Sequence, residues 1–82
     1  MTPEEILKTL QNLIGEQFAT EPEEITLETS YEEDLGADSV DLVELVMAME
    51  EEFDIGEVQE DELVGLKTVG DTVQFLSGKL SK

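Results

Sequence analysis

Apolar side chains recur at helical spacing in three separate stretches of this chain and alternate nowhere, which points to packed helices and away from a sheet. Ile6, Leu7, Leu10, Leu13 and Ile14 define the first stripe, which Phe18 continues past a weakening Gly15. Thr2-Pro3-Glu4-Glu5 marks its start with an N-cap threonine, a proline at the first helical position and a glutamate closing a capping box. A second helix is predicted from Asp38 or Ser39 to Phe53, with Asp38 and Asp41 at capping-box spacing. Leu42, Leu45, Val46, Met49 and Phe53 form its main stripe, and Val40, Val43 and Met47 form another, displaced around the helix. One stripe is enough to bury a helix in a bundle, so the second is either extra core or an exposed surface.

A short helix over Glu60 to Leu66 comes next. Thr68-Val69-Gly70-Asp71 then caps a last helix, with Val69, Val73, Leu76 and Leu80 on one face and Phe75 beside it. Gly78 reads as its stop, followed by Lys79 and Lys82 at the favourable end of the helix dipole. Between Ala19 and Ala37 the periodicity vanishes, and a loop this long in a small domain must be pinned or functional. Ile25, Leu27, Tyr31 and Leu35 are the side chains expected to fold it back over the helices. The expectation is all-α: a small four-helix bundle of three longer helices and one short one, with residues 1–82 as a single domain.

Charge decides whether such a chain folds at all. Twenty-two acids face four lysines, for a net charge of −18, yet Leu, Ile, Val and Phe make up 25 of the 82 residues. That is above the roughly 20% below which charged chains stay unfolded. The acidity excludes nucleic acid as a partner and favours proteins with basic surfaces. Without cysteine or histidine there is neither a disulfide framework nor a zinc site. No apolar run is long enough to span a bilayer and no signal peptide is visible, so the expected location is the cytoplasm, or an organelle matrix for a processed chain.

Ser39 is the residue with chemistry to explain. A serine nucleophile needs a base to activate it, and a chain lacking histidine, cysteine and arginine offers only carboxylates nearby. Ser39 therefore reads as a point of attachment. Gly36 permits a tight turn ahead of it, Asp38 can cap the helix, and the helix start favours an anionic substituent such as a phosphodiester. Asp38 and Asp41 oppose that anion locally. At the other end of the helix, Glu50-Glu51-Glu52 and Asp54 sit where the dipole disfavours them, at about 0.3–1 kcal/mol each. Together with Glu44 they make a polyanionic rod carrying aliphatic side chains, suited to a basic groove. A solvated acidic face without a role is the plain alternative.

The stretch Glu33-Asp34-Leu35-Gly36-Ala37-Asp38-Ser39-Val40-Asp41, followed by Val43-Glu44-Leu45-Val46-Met47-Ala48-Met49-Glu50-Glu51-Glu52-Phe53-Asp54, resembles the acyl carrier proteins of fatty acid synthesis. The resemblance implies a four-helix bundle with 4′-phosphopantetheine joined to Ser39 through a phosphodiester. A separate phosphopantetheinyl transferase would activate the hydroxyl, with magnesium on the coenzyme A substrate, and the cofactor would supply the missing thiol. It also implies a cytoplasmic monomer, neither a membrane-inserted protein nor an enzyme, that presents acyl thioesters to fatty acid synthesis enzymes and acyltransferases with basic docking patches. Asp38, Val40, Asp41, Val43, Glu44, Met47 and Glu51 would be the docking face. The surplus apolar side chains of helix two and Ile55 would line a retreat for the acyl chain. No residue is assigned to catalysis or to a metal.

Three departures stand out: Val40 in place of leucine, an extra Gly56, and Gln59 where many members have proline. A carrier for polyketide or other specialised assembly is the alternative within this class. An acidic, divalent-cation-binding adaptor without a prosthetic group is the alternative outside it, invited by Glu32-Glu33-Asp34 and Glu60-Asp61-Glu62. A hydrolase using Ser39 is disfavoured by the missing base.

Overall fold

The structure, a computed structural model, describes residues 2–80. Helix α1 spans Pro3–Phe18, α2 Ser39–Phe53, α3 Glu60–Leu63 and α4 Val69–Leu80, with a single 3-10 turn at Pro22–Glu24. The start of α1 follows from its sequence: the Glu5 amide donates to Thr2 Oγ1 at 3.2 Å, and Glu5 Oε1 accepts from the Thr2 amide at 2.9 Å. The bond from the Thr2 main-chain N–H holds the Glu5 carboxyl below the usual carboxylate range. The helix runs through Gly15 and closes on Ala19, whose N–H donates to the Gly15 carbonyl from a left-handed conformation.

α1 is the centre of the bundle and packs against both α2 and α4. Ile6, Leu10 and Ile14 meet Leu45, Val46, Met49 and Phe53 of α2 and Val69, Val73 and Leu76 of α4 in one core. Half-buried Leu7, Leu13, Phe18, Leu42, Phe75 and Leu80 pack around it. The main stripes of the three longer helices are therefore the core.

The long loop is pinned as expected at Ile25 and Tyr31, both almost wholly buried, and less completely at Leu35. Leu27 departs from the expectation and is half exposed. The loop is fixed there by main chain: the Gly70 N–H donates to the Leu27 carbonyl at 2.8 Å, with Val69 N–H to Thr29 and Tyr31 N–H to Lys67 alongside. Gly70 allows this approach, because a Cβ at that position would lie 2.9 Å from the Leu27 carbonyl oxygen. Below the loop, the Tyr31 hydroxyl lies 2.5 Å from Thr72 Oγ1, which itself donates to the Thr68 carbonyl. The threonine proton being committed, Tyr31 is the donor in the shorter bond.

Two boundaries move. α3 ends at Leu63, three residues short of Leu66, which is instead buried beyond it. α4 runs past Gly78 to Leu80, so Gly78 is not a stop. Lys79, in the last turn, pairs with Glu62 of α3 at 3.0 Å and lies 5.4 Å from the Phe75 ring centre. These contacts, with Leu80 on the core, offset a mid-helix glycine's cost of about 1 kcal/mol. Lys82, also expected near this end, lies outside the described residues.

Candidate functional site

α2 opens immediately after a turn built by Gly36, which adopts φ +65°, a conformation glycine enters without Cβ strain. The Ala37 N–H donates to the Tyr31 carbonyl at 2.8 Å, tying this turn to the pinned loop. Asp38 and Asp41 then form the expected reciprocal cap: the Asp41 N–H donates to Asp38 Oδ1 at 2.9 Å and the Asp38 N–H to Asp41 Oδ2 at 3.2 Å. Capping falls to the aspartates, and Ser39 stands as the first helical residue with its side chain exposed. Its own amide and that of Val40 are among those with no partner inside the helix.

The second stripe of α2 is a surface. Val40 is 62% exposed, Val43 44% and Met47 59%, which excludes the reading in which both stripes are core. Ser39, Val40, Val43 and Glu44 form one wall of an open, largely apolar groove of about 770 Å³. Glu60, Asp61, Leu63 and Val64 form the other, and Val64 is 72% exposed. Further along α2, Met47 and Glu51 face a second hollow with Glu50, Asp54, Gly56 and Glu57. Ile55 packs against the core. The structure thus brings Ser39, Val40, Val43 and Glu44 to one rim, continues the surface with Met47 and Glu51, and leaves Asp38 and Asp41 as the cap.

Glu50 does not belong to the solvated acidic rod. It is half buried, and its Oε2 accepts the Val58 N–H at 2.7 Å, anchoring the α2–α3 loop. Asp54 at φ 53° and Gly56 at φ +79° turn that loop, and the Gln59 N–H donates to Glu62 Oε1 at 2.9 Å. A proline at 59 could not make this bond, so the departure at Gln59 has a local use. The Gln59 N–H, and after it Lys79, hold the Glu62 carboxyl below the usual carboxylate range.

Leu63 and Val64 went unrecognised in the sequence because a helix of one turn is too short to show a period. Gln17, whose Nε2 donates to the Asp41 carbonyl at 2.7 Å, was equally silent, since such a bond leaves no local pattern. From Lys8 to Lys67 the chain has no basic residue, so nothing cationic on α2 or α3 offsets their carboxylates. Among the described residues, no group of three or more acidic side chains is placed to hold a metal ion. No helix there is long and apolar enough to cross a membrane.

Residues 8–76 match the family model described as the phosphopantetheine attachment site. The chain is 46% identical over 79 residues to the acyl carrier protein of Prochlorococcus marinus (strain MIT 9515), covering 96% of this chain and 98% of that one. It is also 46% identical over 76 residues to the acyl carrier protein of Exiguobacterium sibiricum, covering 93% and 95%. The solved structure of the acyl carrier protein from Enterococcus faecalis aligns with a TM-score of 0.79 at 30% identity, over 96% of this chain and 99% of that one. A serine-headed helix on a four-helix frame, with likeness over nearly the whole length, leads to one conclusion: the chain belongs to the acyl carrier proteins, a family of phosphopantetheine-bearing carriers and not catalysts.

Proposed function

We propose that Ser39 is the residue to which phosphopantetheine is joined, and that residues 1–82 act as a single monomeric carrier domain shuttling acyl groups between enzymes of fatty acid biosynthesis in the cytoplasm. The observation that carries this reading is the exposed Ser39 hydroxyl, relieved of capping by Asp38 and set at the rim of an apolar groove. The residues fit such a group. The free amides at the start of α2 and the helix dipole favour a phosphodiester, and the groove walls of Val40, Val43, Leu63 and Val64 suit a long, weakly polar arm. When bound, the group supplies the thiol that this cysteine-free chain lacks, and so the thioester.

Ser39 Oγ forms the new bond to phosphorus as the nucleotide half of coenzyme A leaves, and its proton passes to a base on the transferase. Asp38, Val40, Asp41, Val43, Glu44, Met47 and Glu51 form the surface on which that transferase, and later synthesis enzymes and acyltransferases with basic patches, dock. The carboxylates steer the encounter, and the exposed valines and methionine supply the area that is dehydrated.

Intact mass tests the attachment. Incubation with coenzyme A, magnesium and a phosphopantetheinyl transferase should add one phosphopantetheine group to the wild type and none to Ser39→Ala. A wild-type mass unchanged by several active transferases, or a Ser39→Ala chain that still gains the group, would refute the reading. The loaded chain offered to fatty acid synthesis enzymes and to polyketide synthases should turn over with the former, and turnover confined to the latter would overturn the pathway assignment.

A further inference from the structure

The first turn of α2 carries Ser39, and the core grips it only through half-buried Leu42. Ser39 and Val40 are exposed and Asp41 and Leu42 only half buried, while the first fully buried side chain of the helix is Leu45. Hydrogen bonding supplies the rest of what fixes the turn. The Asp38–Asp41 cap is internal to the turn and cannot hold it against the rest of the molecule. Among the described residues, the single side-chain bond that reaches it from another helix is Gln17 Nε2 to the Asp41 carbonyl, at 2.7 Å. A carbonyl oxygen has two lone pairs, so this donor adds to the helix ladder without displacing it. Gln17 itself stands in the last turn of α1, a helix anchored by the fully buried Ile6, Leu10 and Ile14.

We propose that Gln17 is a positioning residue for the loading of Ser39, an inference that rests on the reading of Ser39 above. By holding the Asp41 carbonyl to α1, Gln17 sets the place of the Ser39 hydroxyl relative to Glu44, Met47 and Glu51 farther along α2. A transferase seated on those residues then meets the hydroxyl at a fixed offset. Loss of the bond leaves the seat intact and lets the turn fray, so chemistry within the complex slows while the affinity for the carrier holds.

Loading of the full-length chain by a phosphopantetheinyl transferase, followed by intact mass over a range of carrier concentrations, separates kcat from KM. Gln17→Leu should lower kcat about twofold to tenfold with KM unchanged. Gln17→Asn, one methylene short of the carbonyl, should match it and stands in should the leucine variant not fold. Gln17→Lys, which restores a donor of sufficient reach, should recover most of the loss. Hydrogen exchange on the unloaded chains should show the amides of Asp41 and Leu42 exchanging faster in Gln17→Leu while those of residues 10–14 do not change. A merely structural role would move KM, melting temperature and kcat together and would show no rescue by lysine, and that pattern overturns the proposal. A wild type that loads beside an equally fast Gln17→Leu overturns this inference alone. A wild type that takes up no mass overturns the Ser39 reading and this inference with it.

Discussion

Tyr31 is the only tyrosine in a chain without tryptophan, so its ionisation can be followed by near-ultraviolet absorbance without interference. Burial pushes its hydroxyl up from 10.0 to about 12, and the negative charge of Asp71 adds to the effect. A proton held more tightly in the folded than in the unfolded chain contributes stability that is complete below the unfolded value. That stability is lost as pH rises through the folded one, here between pH 10 and about 12. At about 1.4 kcal/mol per pH unit, the contribution comes to about 3 kcal/mol. A domain of this size has a total stability of roughly 4–12 kcal/mol, so the loss is a large fraction of the whole. The perturbation that isolates it is Tyr31→Phe, which keeps the ring and leaves Thr72 bonded to the Thr68 carbonyl. At pH 8 it should cost about 1 kcal/mol for the lost hydrogen bond. Urea unfolding of both proteins from pH 8 to 12 should show the wild type losing about 2–3 kcal/mol more than the variant, because other alkaline groups titrate equally in the two. A folded wild type forming tyrosinate with a midpoint near 10, and a stability difference that does not change with pH, would refute the buried Tyr31–Thr72 arrangement.

Two further outcomes follow from packing and exposure. Gly70→Ala sets a Cβ 2.9 Å from the Leu27 carbonyl oxygen, a main-chain atom that cannot swing aside. It should cost about 1–3 kcal/mol, read as a lowered melting temperature by circular dichroism, and an unchanged temperature would contradict the close approach. Met47→Ala removes an exposed side chain of α2 and should leave stability within about 0.5 kcal/mol. The same substitution should weaken binding to a phosphopantetheinyl transferase about fivefold to thirtyfold by calorimetry, and an unaltered Kd would remove Met47 from the docking face.

Much of this molecule was legible in its sequence because local signals and global packing agree. The Thr2 and Asp38 capping boxes and the stripes of α1, α2 and α4 can each be read from spacing, and the anchors Ile25 and Tyr31 from being apolar in an otherwise polar, aperiodic loop. Leu27 could not be read, since its place is set by main-chain bonding to Gly70 and its side chain has no part in it. Gly78 misled because a local helix breaker was overridden by contacts from another helix. Gln17 and Glu50 escaped for the same reason. Each donates to or accepts from a main-chain group on another element, and nothing beside them in sequence announces it.

The two stripes of α2 share a backbone but differ in what covers them. Leu45, Val46, Met49 and Phe53 look into the core, while Val40, Val43 and Met47 look out. Changes on the outward stripe should therefore be nearly additive with changes in the core wherever the two have no common partner; Leu63, which borders both, is the place where they can couple. With the docking role proposed for this stripe, a carrier built this way exchanges one set of client enzymes for another by substituting a few outward side chains, without renegotiating its fold at each step. Foldability and clientele become separately adjustable properties of a single helix.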